Sequence, residues 1–281
     1  MTRDTLATAD GEWLPLRPAH TRSLADARLQ THHAAQLVAA FGISFLSPAP
    51  DDSHTTMRWD PRRGALTSRD ADGIAVEIRL GELTISVMRG GIAADRIPLH
   101  GRTVREGEGL VRDALARLGL DPARYSLRRH YDLPHHPVAD GAAFDIRDGA
   151  SLDELSRWFG NAAVALGEVA TAQGGSAVTC WPHHFDIATL ITIAPGRTTG
   201  AGMAPGDGYY DEPYFYVNAY PPPPATALVA RLEGNGQWHT NEWIGAVLPG
   251  SGLAAELPEQ RAQADAFLRS AIASMRKMLE R

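Results

Sequence analysis

FDIATLITIA, residues 185–194, restricts the fold more than any other stretch of the chain. Ile187, Ile191 and Ile193 fall on one face of an extended strand, Ala188 and Leu190 on the other. Such a strand reads as central and covered on both sides. Helices must do the covering, and the sequence supplies four. SLADARLQTHHAAQLVAAFG (Ser23 to Gly42) carries Ala27, Leu37, Val38 and Phe41 on a partial apolar face, with Gly42 as a C-terminal stop. TVREGEGLVRDALARLGLD opens on a capping-box pattern, Thr103 with Glu106, and SLDELSRWFGNAAVALGEVATAQGG on a second, Ser151 with Glu154. The closing PEQRAQADAFLRSAIASMRKMLER keeps Ala264, Phe267, Leu268, Ile272, Met275 and Leu279 at helical spacing.

Between the helices, ISFL, HTTMRW, ALTSR, GIAVEIRL and ELTISVM read as short strands of a meander, separated by turn signals such as Asp70–Gly73 and Gly81. YSLRRHYDLPHHPVADGAAF reads as a strand and a long loop. AVTCW, PYFYVNAY and WHTNEWIGAVL read as further strands, and RTTGAGMAPGDGYYDEP as a glycine-rich turn region. The expected fold is α+β, antiparallel sheets flanked by four main helices. An extended leader covers residues 1–22, a first α/β half 23–150 and a second 151–281, the halves packed as one globular unit. The order of helix, strand, polar histidine segment and strand recurs in both, which suggests an internal duplication with His54 opposite the His183–Asp186 segment.

Composition excludes several classes. The chain has 281 residues and a net charge of −6, with no Lys/Arg cluster, which argues against a nucleic-acid surface. Cys180 is the single cysteine, so neither an internal disulfide nor a thiolate zinc cluster can form. No window approaches the run of about 18 apolar residues that a membrane span requires, and the N-terminal stretch lacks a signal-peptide core. The expectation is a soluble cytoplasmic protein, and the Ala/Arg/Gly-rich composition suits a bacterial source.

The polar residues with the most chemistry lie in WPHHFDIATL, Trp181 to Leu190. Read as a strand, it places His184 and Asp186 on one face and His183 and Phe185 on the other. An imidazole beside a carboxylate is an acid–base pair or part of a metal site. A divalent Zn, Fe or Mn ion would take His183, His184 and Asp186 as its starting set. Because a protein-ligated zinc or iron normally needs three side chains, another would come from His54, Glu212 or His239. The plainer alternative is that the pair only stiffens the corner after Pro182. In PGDGYYDEPYFYVNAY, Glu212, Tyr214 and Tyr216 suit a pocket wall, with Trp181 a further ligand contact. The rival reading there is a solvated turn followed by an aromatic core strand. His32 and Gln36 share a helix face, where a polar contact to the sheet is the ordinary expectation.

WPHHFDIAT, followed by APGDGYYDEPYFYV and then GQWHTNEWIGAVL, resembles an uncharacterised family of bacterial conserved proteins. The order of THHAAQ, DDSHTTMRW, HHFDIAT and PYFYVNAYPPP is more distantly similar to the family known as domain of unknown function 5996. The resemblance spans roughly Ser23 to Leu248 and implies a common fold without supplying an activity. WPHHFD departs from the more distant family, whose equivalent is rich in phenylalanine and tryptophan and lacks the paired histidines.

The leading functional expectation is a small-molecule enzyme. His184, Asp186 and His54 are its candidate catalytic residues, with Tyr214, Tyr216, Glu212 and Trp181 as ligand contacts and a metal as assistant. The alternative is a non-catalytic ligand-binding or homo-oligomeric structural protein. In that case the aromatic strands and C-terminal helix would form a homodimer seam.

Overall fold

The computed structural model describes residues 12–17 and 21–280. In chain order they form α1 (Thr21–Phe45), β1 (Met57–Asp60), β2 (Ala65–Ser68), β3 (Ile74–Arg79), β4 (Thr84–Arg89), β5 (Ile92–Pro98), α2 (Val104–Arg117) and α3 (Gly149–Gln173). They continue with β6 (Thr179–Trp181), β7 (Asp186–Ala194), β8 (Arg197–Ala204), β9 (Tyr214–Tyr220), β10 (Gln237–His239), β11 (Gly245–Pro249) and α4 (Leu257–Leu279). Four helices and antiparallel strands make the fold α+β.

The chain divides into two compact units. One holds Ser23–Ser156 and Cys180–Phe185. The other holds residues 12–17, Arg157–Thr179 and the chain from Asp186 onward. In the first, β1 pairs with β6 and β2, and the order continues through β3 and β4 to β5. Helix α2 packs on β4 and β5. Its capping box is present: Glu106 N–H donates to the Thr103 hydroxyl, and Glu106 Oε2 accepts from Thr103 N–H at 2.7 Å. α1 is buried on every side from Thr31 to Gly42, so its polar side chains must find partners within the protein.

In the second unit β7, β8, β9, β11 and β10 lie in that order, with α4 across β8 and β9. Residues 12–17 are anchored by side chains of α3 and α4. Asn161 exchanges hydrogen bonds with the backbone of Leu14, and Gln260 does the same for Leu16. Ala264, Phe267, Leu268, Ile272, Met275 and Leu279 of α4 are buried, as their spacing predicts.

Several local expectations need correcting. Gly42 does not stop α1, which runs on through ISF; it sits where a Cβ would collide with the His54 carbonyl. His54 itself lies in a single 3-10 turn, Ser53–Thr55, rather than on a strand. RTTGAGMA is a strand, not a turn region. Gly200 faces Asn218 and Gly202 faces Tyr216 across β9, and these larger side chains occupy the space that the glycines leave. α3 starts two residues before Ser151, and Asp148 Oδ1 accepts from Ser151 N–H at 3.2 Å. YSLRRHYDL forms no strand, whereas IAADRIP forms β5. β7 is covered chiefly on one face: Ile187 and Ile191 are fully buried, but Leu190 is 49% exposed.

Candidate functional site

Pro182 redirects the chain, and WPHHF is a tight turn rather than the start of β7. Phe185 N–H closes it by donating to the Trp181 carbonyl at 2.7 Å, and Phe185 has a left-handed φ of 58°. Strand alternation therefore does not apply to His183 and His184. Their rings lie beside each other, 4.3 Å between centroids, instead of pointing to opposite faces. Asp186 is the first residue of β7.

Helix α1 holds the turn. The Pro182 carbonyl accepts from His32 Nε2 and from Gln36 Nε2, each at 2.9 Å. Gln36 also donates to the His32 carbonyl, and its Oε1 accepts from the Tyr131 hydroxyl at 2.9 Å. His32 lies flat on Phe185, 5.1 Å away and 10° from parallel. Because a carbonyl can only accept, His32 carries its proton on Nε2. Burial pushes its pKa down to about 4, with the neighbouring His33, Arg28 and His184 adding to the effect against the Pro182 bond. His33 binds the Pro134 carbonyl at 3.0 Å, so α1 fixes the 130–136 loop as well.

The outer part of this cluster is more open. His184 is exposed and His183 is half-buried, with Tyr131 5.7 Å and Trp181 5.9 Å from the His183 ring. Burial, then the adjacent His184, lower the His183 pKa to about 4, so the ring is neutral at physiological pH. Burial raises Tyr131 to about 12, which keeps its hydroxyl protonated. His130 stands 3.2 Å from Asp52 at the exposed edge. The arrangement sets the neutral His183 ring between the His184 and Tyr131 rings on a turn that α1 clamps.

Of the other residues expected at the site, His54 belongs to the first unit and closes its own loop, its Nδ1 accepting from Ala49 N–H at 3.2 Å. Glu212 belongs to the second unit and caps the turn after β11, accepting from Ser251 N–H at 2.5 Å and from the Ser251 hydroxyl at 2.8 Å. Asp186, also in the second unit, accepts from the Tyr216 hydroxyl. Tyr214 donates to Asp207 Oδ2 at 2.5 Å, and burial followed by that bond raises its pKa. His239 donates from Nε2 to the Asn241 carbonyl at 2.7 Å and accepts on Nδ1 from Tyr210 at 2.9 Å. Among the described residues, no group of three or more His, Cys, Asp or Glu is placed to hold a metal ion. None of the helices among those residues is long and apolar enough to cross a membrane.

Tyr131 and His130 did not stand out in the sequence. RRHYDLPHH carries the composition of a polar loop, and only the partner on α1 marks Tyr131 as fixed. THHAAQ was a visible signal, but its target is a turn carbonyl rather than a strand. No family model matches this chain, and no curated protein or solved structure matches it either.

Proposed function

We propose that the chain binds, and as an enzyme acts on, a small polar organic molecule at the histidine turn of the first unit. One observation carries the reading: His183 and His184 stand side by side on a backbone that His32 and Gln36 clamp through the Pro182 carbonyl. Clamping a turn from a buried helix is the kind of support that holds side chains within the narrow tolerance ligand recognition needs. In the catalytic form of this reading, the neutral His183 and the exposed His184 act as hydrogen-bond partners, and the Tyr131 hydroxyl is a donor. A divalent metal would need ligands beyond the histidine pair.

The test is extraction of small molecules and metals that copurify with untagged protein, compared with His184→Ala and with His183→Ala/His184→Ala. A bound organic compound that disappears in both variants, while both keep the parent melting temperature within a few degrees, supports the reading. A parent protein that carries no compound and shows no change in histidine NMR shifts with a metabolite extract would sink it. Loss of folding in the double variant with no loss of ligand in His184→Ala would make the pair structural.

A further inference from the structure

The second unit holds a cavity that the histidine-turn reading does not use. After β9 the chain runs through Pro221–Pro224 into the 3-10 turn Ala225–Ala227, and this arch faces the last turn of α4. Between them lies a partly open cavity of about 330 Å³, lined by the four prolines, Ala227, Met278, Leu279 and Arg197. Ala227 N–H donates to the Pro224 carbonyl at 2.9 Å, which closes the turn at the end of the arch. Arg197 opens β8, and its Nη1 donates to the Leu279 carbonyl, one of the backbone acceptors that a helix end leaves without a helical partner. That bond holds the guanidinium against α4, and its other N–H groups have no partner among the described residues.

The lining decides what such a cavity would take. Proline, alanine, leucine and methionine side chains carry no hydrogen-bond donor, and the prolines lack a backbone N–H as well. Arg197 is thus the lining residue whose side chain can hold a polar head, and it is cationic and exposed. No residue from Tyr214 to Ala230 is charged, so the arch brings no rival carboxylate. The last turn of α4 adds Arg276 and Lys277, against Glu280 after it. A carboxylate accepts two parallel N–H bonds from a guanidinium fork, while an aliphatic tail gains by leaving water for the apolar walls. We infer that this cavity is a site for a monocarboxylate with an unbranched aliphatic chain, its tail between Pro221–Pro224 and Met278 and its head on Arg197.

The test is isothermal titration of the full chain with butanoate, hexanoate and octanoate, and with octan-1-ol as the uncharged match of the longest. Affinity rises about two- to fourfold for each added methylene. Octan-1-ol binds about tenfold more weakly than octanoate, and Arg197→Gln, whose amide can still donate to the Leu279 carbonyl, removes that difference. Ala227→Trp fills the cavity and weakens the acid and the alcohol alike. Octanoate that fails to bind, affinity independent of chain length, or octanoate bound equally well by Arg197→Gln would overturn the assignment. If octanoate fails and Ala227→Trp dissociates a dimer in sedimentation, the groove belongs to a second copy instead. The chain-length series and the alcohol need only the parent protein, so the test stands even where Arg197→Gln fails to fold.

Discussion

His32 lies face to face with Phe185, 10° from parallel, while its Nε2 donates to the carbonyl of Pro182 three residues earlier. One buried imidazole therefore fixes both the direction of the turn and its left-handed residue. The ring does this as a neutral group, with its pKa lowered to about 4 chiefly by burial. Between its ordinary pKa of about 6.5 and about 4, the unfolded chain binds a proton that the native one does not. Stability from this group is complete above about pH 6.5 and falls as pH drops towards 4, by at most about 3 kcal/mol. Urea unfolding at pH 7.5 and 4.5 will show the loss, and His32→Gln, which cannot titrate there, will show a smaller one. An equal acid loss in that variant would assign it to other groups.

Tyr131→Phe keeps the ring beside His183 and removes the hydroxyl that Gln36 Oε1 accepts. Leaving that buried amide oxygen without its donor costs about 1–2 kcal/mol. Gln36→Leu removes the bonds to Pro182 and to the His32 carbonyl as well, so it costs more. Denaturant midpoints of both variants check the order, and faster amide exchange at Phe185 in Gln36→Leu checks that the turn has loosened.

Helix propensity alone favours Gly42→Ala by about 1 kcal/mol, since Gly42 lies inside α1. The His54 carbonyl reverses the sign. The new Cβ would strike backbone atoms, which cannot rotate away as the end of a side chain can. Overpacking of this kind costs about 1–3 kcal/mol, which outweighs the gain. A lower melting temperature for Gly42→Ala is the expected result, and a higher one would show that the 3-10 turn around His54 shifts at no cost.

That glycine also shows why part of the fold was legible in the sequence and part was not. α4 and the Thr103–Glu106 cap follow rules of spacing within one segment, and both stand as read. Gly42, Gly200 and Gly202 look like helix stops and turn residues because their roles depend on distant partners: His54, Asn218 and Tyr216. The site divides in the same way. WPHHF was visible as an unusual stretch, but its assignment as a strand failed once Pro182 and left-handed Phe185 made it a turn. The clamp from α1 crosses 150 positions between His32 and Pro182, and no local pattern encodes it. IAADRIP shows no alternation to read, because its apolar residues fall on both faces of the strand: Ile92 is exposed and Ile97 is buried.

Gly202 and Tyr216 form a pair whose coupling can be measured directly. They sit opposite each other in β8 and β9, and a Cβ at 202 would fall on the phenol ring that reaches Asp186. Gly202→Ala should therefore cost about 1–3 kcal/mol in the parent protein and a similar amount with Tyr216→Phe, where the ring remains. With Tyr216→Ala the obstruction is gone, and the alanine at 202 should become neutral or slightly stabilising in a strand. The resulting coupling of about 1–3 kcal/mol is large for a double-mutant cycle, and unfolding midpoints of the four proteins resolve it. A coupling near zero would mean that the two strands separate to admit the methyl group instead of holding the ring against the glycine.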